Sequence, residues 1–292
     1  MSRSERAWQL RLRVLTIAWG LPVTVVCLWV GGWLLALGSV VLAVFALGEF
    51  WGLGRFLGVA GRPRWEVLGA AVLILAGASI GMGRFLAALA AALVVVMLAA
   101  VVRGSAQRGG ASLRQELETS VWAILALLYI PWLLGYVLLM RHTSPAALEF
   151  PRTLGAVVLV WLGDVGAFIV GGLAGRHRLA EAISPGKSVE GAVAALALGA
   201  VGGTLAAPLL ALPLAAGAVV GAALGAAGLL GDLWESLLKR GAGVKDSGAS
   251  LPGHGGVLDR FDSLLVGAPV GYWLMDRVPW TELAHWLGPL WR

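Results

Sequence analysis

Residues 210 to 240 read LALPLAAGAVVGAALGAAGLLGDLWESLLKR, and this one stretch fixes the class of protein. From Leu210 to Gly231 no side chain carries a charge, a length that lets a helix cross the roughly 30 Å of a bilayer's hydrocarbon. Gly217, Gly221 and Gly225 recur every fourth residue, the small-xxx-small spacing that brings two helix backbones close. Then, within one turn, the chemistry changes. Asp232, Glu235 or Ser236, and Lys239 follow at spacings of three and four, so they share one helix face. Gly241 suits a helix C-cap. A membrane-crossing helix thus runs directly into a polar, charge-bearing segment.

The rest of the chain repeats the apolar part of this pattern. Of 292 residues 59% are hydrophobic and only 13% charged, with a mean hydropathy of +0.86, so a water-solvated surface is excluded. Apolar runs fall at about 14–31, 33–53, 66–83, 85–102, 120–140, 153–175, 190–207, 210–231 and 263–279. The expected fold class is an all-α polytopic membrane bundle of about nine transmembrane helices with a cytoplasmic catalytic loop. The nearly continuous runs are divided at Gly31-Gly32, at Gly81 to Arg84 and at Ala207-Pro208. Arg3, Arg6, Arg11 and Arg13 precede the first run as in a signal peptide, but hydrophobicity continues past any cleavage point, and the run reads as a retained helix. Cys27 is the single cysteine, which rules out an intramolecular disulfide and a multi-cysteine metal site.

The formal charge of +6 does not point to nucleic acid, because the basic residues alternate between loops. With the N-terminus inside, 17 of the 22 lie on the cytoplasmic side, and only Arg84, Arg141, Arg152, Arg277 and Arg292 lie outside. The reading is of one membrane domain, 1–292, in which 1–113 are N-terminal transmembrane helices and 114–292 carry the catalytic region.

That region centres on residues 232–262, which hold Asp232, Asp246, Asp259 and Asp262 together with Lys239, Arg240, Lys245 and Arg260, and a glycine-rich turn at Leu251-Pro252-Gly253-His254-Gly255-Gly256. Carboxylates suit hard cations such as Mg²⁺, cations offset a nucleoside triphosphate, and glycines let backbone amides approach a ligand. The alternative is a juxtamembrane loop whose charges are solvated or meet anionic lipid heads. Gly186-Lys187-Ser188 is not a Walker A loop, since Glu181 stands where that motif needs its first glycine. Asp164 and Glu49 sit inside apolar runs, where an unpartnered charge costs at least ~2.5–3.5 kcal/mol. Both therefore need partners, in a binding site or a structural ion pair. His142, His177 and His285 have no ligand-like spacing.

The run Ser236-x2-Lys239-Arg240-x4-Lys245-Asp246-x-Gly248-x2-Leu251-Pro252-x-His254-Gly255-Gly256-x2-Asp259-Arg260-x-Asp262 resembles the signature of the phosphatidate cytidylyltransferase family. Gly163-Asp164-x-Gly166-Ala167-Phe168 and Ile183-Ser184-Pro185-Gly186-Lys187-Ser188-x-Glu190-Gly191 are similar to two further family elements. Phe168, Ser188 and Val189 stand where Tyr, Thr and Trp are common, so no tyrosine hydroxyl is essential at 168. The similarity covers about 115–280, and the N-terminal helices match mainly in hydropathy and in Glu49.

This resemblance implies transfer of CMP from CTP to phosphatidic acid, giving CDP-diacylglycerol and pyrophosphate, in phospholipid biosynthesis at a bacterial inner membrane with the site facing the cytoplasm. Phosphatidate is itself the nucleophile. On this reading Lys239, Arg240, Lys245, Asp246, His254 and Arg260 serve catalysis, while Ser184, Lys187, Ser236, Gly255 and Gly256 bind substrate. Asp232 and Asp246 hold Mg²⁺, as one ion or two. Asp259 and Asp262 are further ligands or groups that hold Arg260, and Asp164 supports the site. CTP, phosphatidic acid and membrane lipids are the implied partners, without nucleic acid. A homodimer is among the open oligomeric states. The rival readings are a CTP-dependent transferase or kinase for another lipid, such as an isoprenoid, and an ion-coupled transporter using Asp164 and Glu49.

Overall fold

The computed structural model describes residues 18–59, 64–107, 109–251 and 255–287. Residues 14–17 of the first predicted run lie outside the described residues, as do Arg3, Arg6, Arg11, Arg13, Arg62, Arg108 and Arg292. The described chain is helical apart from one small hairpin. In order come α1 (Ala18–Val30), α2 (Gly32–Phe56), α3 (Trp65–Ala78), α4 (Met82–Ser105), α5 (Gly110–Tyr129), α6 (Pro131–Thr143) and α7 (Glu149–Ala174). The hairpin β1 (Arg178–Ala180) and β2 (Ser184–Ser188) follows, then α8 (Val189–Ala206), α9 (Leu214–Gly241), α10 (Leu258–Tyr272), a π-helical turn at Trp273–Arg277 and α11 (Trp280–Leu287). Six helical segments are long and apolar enough to cross a membrane: α2, α4, the joined pair α5 and α6, α7, α8 and α9. α1 and α3 are shorter apolar helices.

Each break has a local cause. Gly31 and Gly32, between α1 and α2, have φ of 66° and 51°, a left-handed backbone that interrupts a helix at little steric cost. Gly81, at φ 138°, separates α3 from α4. Pro208 lies in the turn that ends α8, and Pro131, without an N–H to donate, starts α6. Pro269 inside α10 removes one rung of its ladder, and the helix widens to the π form four residues later.

The chain forms two compact units. The first comprises Met1–Leu138 and Gly241–Phe261. Its core is aromatic and tightly fitted. Phe50 stacks on Trp122 at 4.4 Å between ring centroids, and Trp122 donates its indole N–H to the Phe50 carbonyl at 3.3 Å. Phe85 stacks on Trp132 at 4.1 Å, in space that Gly135 leaves open. At the ends of α3, α4 and α5 the Arg64 guanidinium grips the Glu116 carboxylate with two hydrogen bonds of 2.7 and 2.8 Å. Arg103 bridges Glu116 at 3.0 Å and Glu66 at 2.6 Å. Both glutamates are buried, so these arginines do more than mark a membrane side.

The second unit comprises Leu139–Arg240 and Asp262–Arg292. Its centre is the contact of α8 with α9, where the glycine spacing has its expected consequence. A methyl group at Gly221 would collide with the Gly199 carbonyl, one at Gly217 with the Gly203 carbonyl, and one at Gly225 would lie 2.5 Å from the Ala195 carbonyl. Gly163 brings α7 onto Gly225 in the same way. Backbones this close gain dispersion and Cα–H···O contacts that larger residues would prevent. Elsewhere in this unit Asp276 accepts from Arg152 at 2.7 Å and Ser144 at 2.8 Å.

Candidate active site

The second unit gathers most of the charged residues singled out in the sequence. α9 continues past its apolar part by almost three turns and carries Asp232, Glu235, Ser236 and Lys239 on one face. The antiparallel hairpin pairs Arg178 with Ser188 and Ala180 with Ser184, and Ser188 caps α8 by accepting from the Gly191 N–H at 3.1 Å. These constraints set Lys187, one residue ahead of the cap, against α9. Its Nζ stands 2.7 Å from Asp232 Oδ2. The distance is that of a hydrogen bond but the approach angle is not, so the contact is an ion pair and the ammonium keeps donors to spare. Lys187 is 17% exposed and Asp232 39% exposed, which makes the pair reachable from solvent on the aspartate side. Ser236 donates to the other Asp232 oxygen at 3.2 Å.

Glu235, on the same face, has no exposed surface. Its carboxyl faces Lys239 Nζ at 3.5 Å and lies beside the side chain of Asp262. Asp262 is held by the Ser263 N–H at 2.8 Å. Burial raises the Asp262 carboxyl above the usual carboxylate range; the Glu235 hydrogen bond opposes that shift and the Asp232 charge adds to it. Asp164, on α7, accepts a hydrogen bond from the Ser263 side chain and feels the charges of Asp262, Asp232 and Lys187. Gly228 and Gly231 make this gathering possible: a methyl at the first would press on Val160, and one at the second would collide with the Asp262 carbonyl. Sequence reasoning placed Glu235 on the reactive face without giving it a role, and it missed Ser263. The spacing of Glu235 and Lys239 was the available signal.

In the first unit the polar loop is built around Glu49 and Asp259. Asp259, on the first turn of α10, accepts from the Gly256 N–H at 2.9 Å and the Ser247 N–H at 3.1 Å. It therefore staples the loop across its base. Gly255 takes a φ of 82°, and its Cα side faces Asp259. Lys245, Asp246 and Arg260 are exposed. Ser184 is half-buried within β2, and Arg240 donates to the Ile183 carbonyl at 3.3 Å. His254 lies outside the described residues. Phe168 is 82% exposed on the surface of α7.

Among the described residues, no three acidic or imidazole side chains close into a metal-ligand set. The second unit nevertheless concentrates carboxyl groups. Asp164, Asp232 and Asp262 are near enough to repel one another, Glu235 adds a fourth carboxyl, and Lys187 and Lys239 stand against them. A cation among oxygen donors offsets such a surplus of negative charge.

Residues 11–278 match the profile of the cytidylyltransferase family. The chain belongs to that family. A phosphatidate cytidylyltransferase of Staphylococcus saprophyticus is 32% identical over 273 residues, 89% of this chain and 97% of that protein. The phosphatidate cytidylyltransferase of Synechocystis is 46% identical over 125 residues, spanning 42% of each chain, and that of Bacillus subtilis is 39% identical over 153 residues, 52% of this chain and 56% of that protein. As a cytidylyltransferase family member the chain is a nucleotidyltransferase.

Proposed function

We propose that this cytidylyltransferase acts on phosphatidic acid, transferring CMP from CTP to give CDP-diacylglycerol and pyrophosphate. The observation that carries the reading is the match of 89% of the chain to nearly the whole of a protein named phosphatidate cytidylyltransferase. In the reaction a phosphate oxygen of phosphatidate bonds to the α-phosphorus of CTP while the bond from that phosphorus to the pyrophosphate oxygen breaks. A phosphomonoester has its second pKa near about 6, so the nucleophile is largely ionised at neutral pH and no protein base is needed. The barrier is repulsion between anions.

The chain's residues address that barrier. The Lys187 ammonium, with donors beyond its Asp232 contact, suits a phosphate oxygen, and Ser236 and Ser184 offer hydroxyls. Lys239, held against Glu235, keeps a positive charge on the α9 face. Arg240, Lys245 and Arg260 are exposed cations for the triphosphate. Mg²⁺, when bound, neutralises phosphate charge and favours departure of pyrophosphate. Asp232 and Asp262 would hold it, with Asp164 and Ser263 behind them orienting the set. Asp246, exposed on its loop, is a further candidate ligand.

The chain is read as crossing a bacterial inner membrane about nine times, with the N-terminus and residues 232–262 in the cytoplasm. Phosphatidate then enters sideways from the bilayer and CTP from the cytosol. The test is direct. Purified protein in detergent, given phosphatidic acid, Mg²⁺ and CTP labelled in the cytidine, should move label into the lipid phase and release one pyrophosphate for each lipid labelled. Label transfer to an isoprenoid lipid but not to phosphatidic acid would refute the acceptor, and full turnover in excess chelator would refute the metal.

A further inference from the structure

Glu49 lies in the middle of α2, within an apolar run, and is 7% exposed. Its partners are not cations. One carboxylate oxygen accepts from the Val257 N–H at 2.9 Å; the other accepts from the Leu258 N–H at 2.8 Å and faces Ser247 Oγ at 3.3 Å. Val257 and Leu258 open α10, where backbone N–H groups have no partner inside the helix and the helix dipole favours a negative charge. Glu49 thereby joins α2 to the loop from the far end of the sequence, a separation of more than 200 residues.

Two signature glycines meet the same carboxylate. A Cβ at Gly248 would stand 2.7 Å from Glu49 Cγ and 2.8 Å from its Cδ. A Cβ at Gly256 would stand 2.5 Å from Glu49 Oε2 and would also strike Ser247 Oγ. A carboxylate held by three donors cannot swing aside. Neither glycine has a positive φ, so backbone freedom does not require them; room for Glu49 does.

We infer that Glu49 is a positioning residue for the nucleotide side of the reaction: it fixes the loop that presents Lys245, Asp246 and Arg260, and Gly248 and Gly256 are glycines to admit it. This rests on the proposed CTP-dependent activity. The three presented side chains are exposed and polar, so loosening their loop should affect the triphosphate substrate and spare the lipid.

The experiment compares the purified full-length protein with Glu49→Gln, Glu49→Ala, Gly248→Ala and the Glu49→Ala/Gly248→Ala double variant. Glutamine keeps the size but turns an N–H donor toward a backbone N–H. Glu49→Gln should raise the KM for CTP by about tenfold while the KM for phosphatidic acid stays within about threefold. Amide exchange at Val257 and Leu258 should quicken by about tenfold without a change elsewhere, a readout that does not depend on turnover. Gly248→Ala should cost about tenfold in kcat/KM for CTP in the wild type and less than about threefold where Glu49 is already alanine. Unchanged CTP KM and unchanged protection in Glu49→Gln, an equal rise in both KM values, or additive effects in the double variant would overturn the assignment. Turnover by the wild-type protein tests the activity separately: if wild type makes no CDP-diacylglycerol, the functional reading fails whatever the exchange data say of the tether.

Discussion

Replacing Lys187 by methionine keeps most of the unbranched side chain and removes its charge, which makes it the most informative single change in the second unit. Unit charges 2.7 Å apart attract by about 6 kcal/mol at an effective dielectric near 20 and by about 1.5 kcal/mol in bulk water. Desolvating the ammonium cancels part of this, the contact lacks hydrogen-bond geometry, and Asp232 is 39% exposed, so about 1–2 kcal/mol remains. If the same ammonium meets a phosphate of CTP, that energy is at stake in the reaction, and kcat/KM for CTP should fall by about 5- to 30-fold. The metal requirement should respond in the opposite sense. Without Lys187, Asp232 loses its ion-pair partner and keeps the charges of Asp164 and Asp262 nearby, so the Mg²⁺ concentration for half-maximal turnover should stay level or drop. The assay is label transfer from CTP across a Mg²⁺ series, with Asp232→Asn and the double variant completing a cycle. Wild-type kcat/KM in Lys187→Met, or strict additivity with Asp232→Asn, would refute the idea that this ion pair belongs to the substrate site.

Asp232→Asn and Asp246→Asn each keep side-chain size while removing the charge a hard cation needs; turnover should fall by about two orders of magnitude, with partial rescue of at least one by raised Mg²⁺ or Mn²⁺, and wild-type rates in both at low millimolar Mg²⁺ would remove the metal role. Phe168→Tyr should stay within a few-fold of wild type, since the ring is 82% exposed and the natural phenylalanine already does without a hydroxyl, whereas Asp164→Asn should lose about tenfold or more with expression retained. Reporter fusions active only in the cytoplasm should work after residue 245 and be silent after residue 292; the reverse pattern would invert the proposed topology.

The helices were legible because hydropathy is a local property. Gly31-Gly32, Gly81 and Pro208 were chosen as breaks from their backbone chemistry, and the helices end there. The four-residue glycine period marks a close helix contact without naming its partner, and α9 meets α8 there. What the sequence concealed is pairing at a distance. Arg64 and Arg103 read as membrane-side markers, yet they are tied to Glu116 and Glu66, and nothing local distinguishes a buried ion pair from a solvated charge. The hairpin at 178–188 was hidden because its two strands are short and polar, and it is this hairpin that delivers Lys187 to Asp232. The loop glycines are legible as glycines, but a further demand on Gly248 and Gly256 is not: both leave room for a side chain of α2.

Glu49 and Asp164 look alike in the sequence, two acids inside apolar runs, and their surroundings separate them. An intramembrane carboxylate is tolerated when donors replace its lost water. Glu49 is fully provided for: both oxygens accept from backbone N–H groups and a hydroxyl stands beside one of them, so its charge is satisfied by the fold itself. Asp164 has one hydroxyl partner and faces two other carboxylates, with Lys187 as the opposing cation. The first environment is closed to an ion, because a cation arriving there would have to displace the amides that start α10. The second sets three acids close enough to repel one another. An ion path that uses both residues alike, as a coupled transporter would need, conflicts with this division. A nucleotidyltransferase that keeps one acid for architecture and the other for metal and phosphate chemistry accords with it.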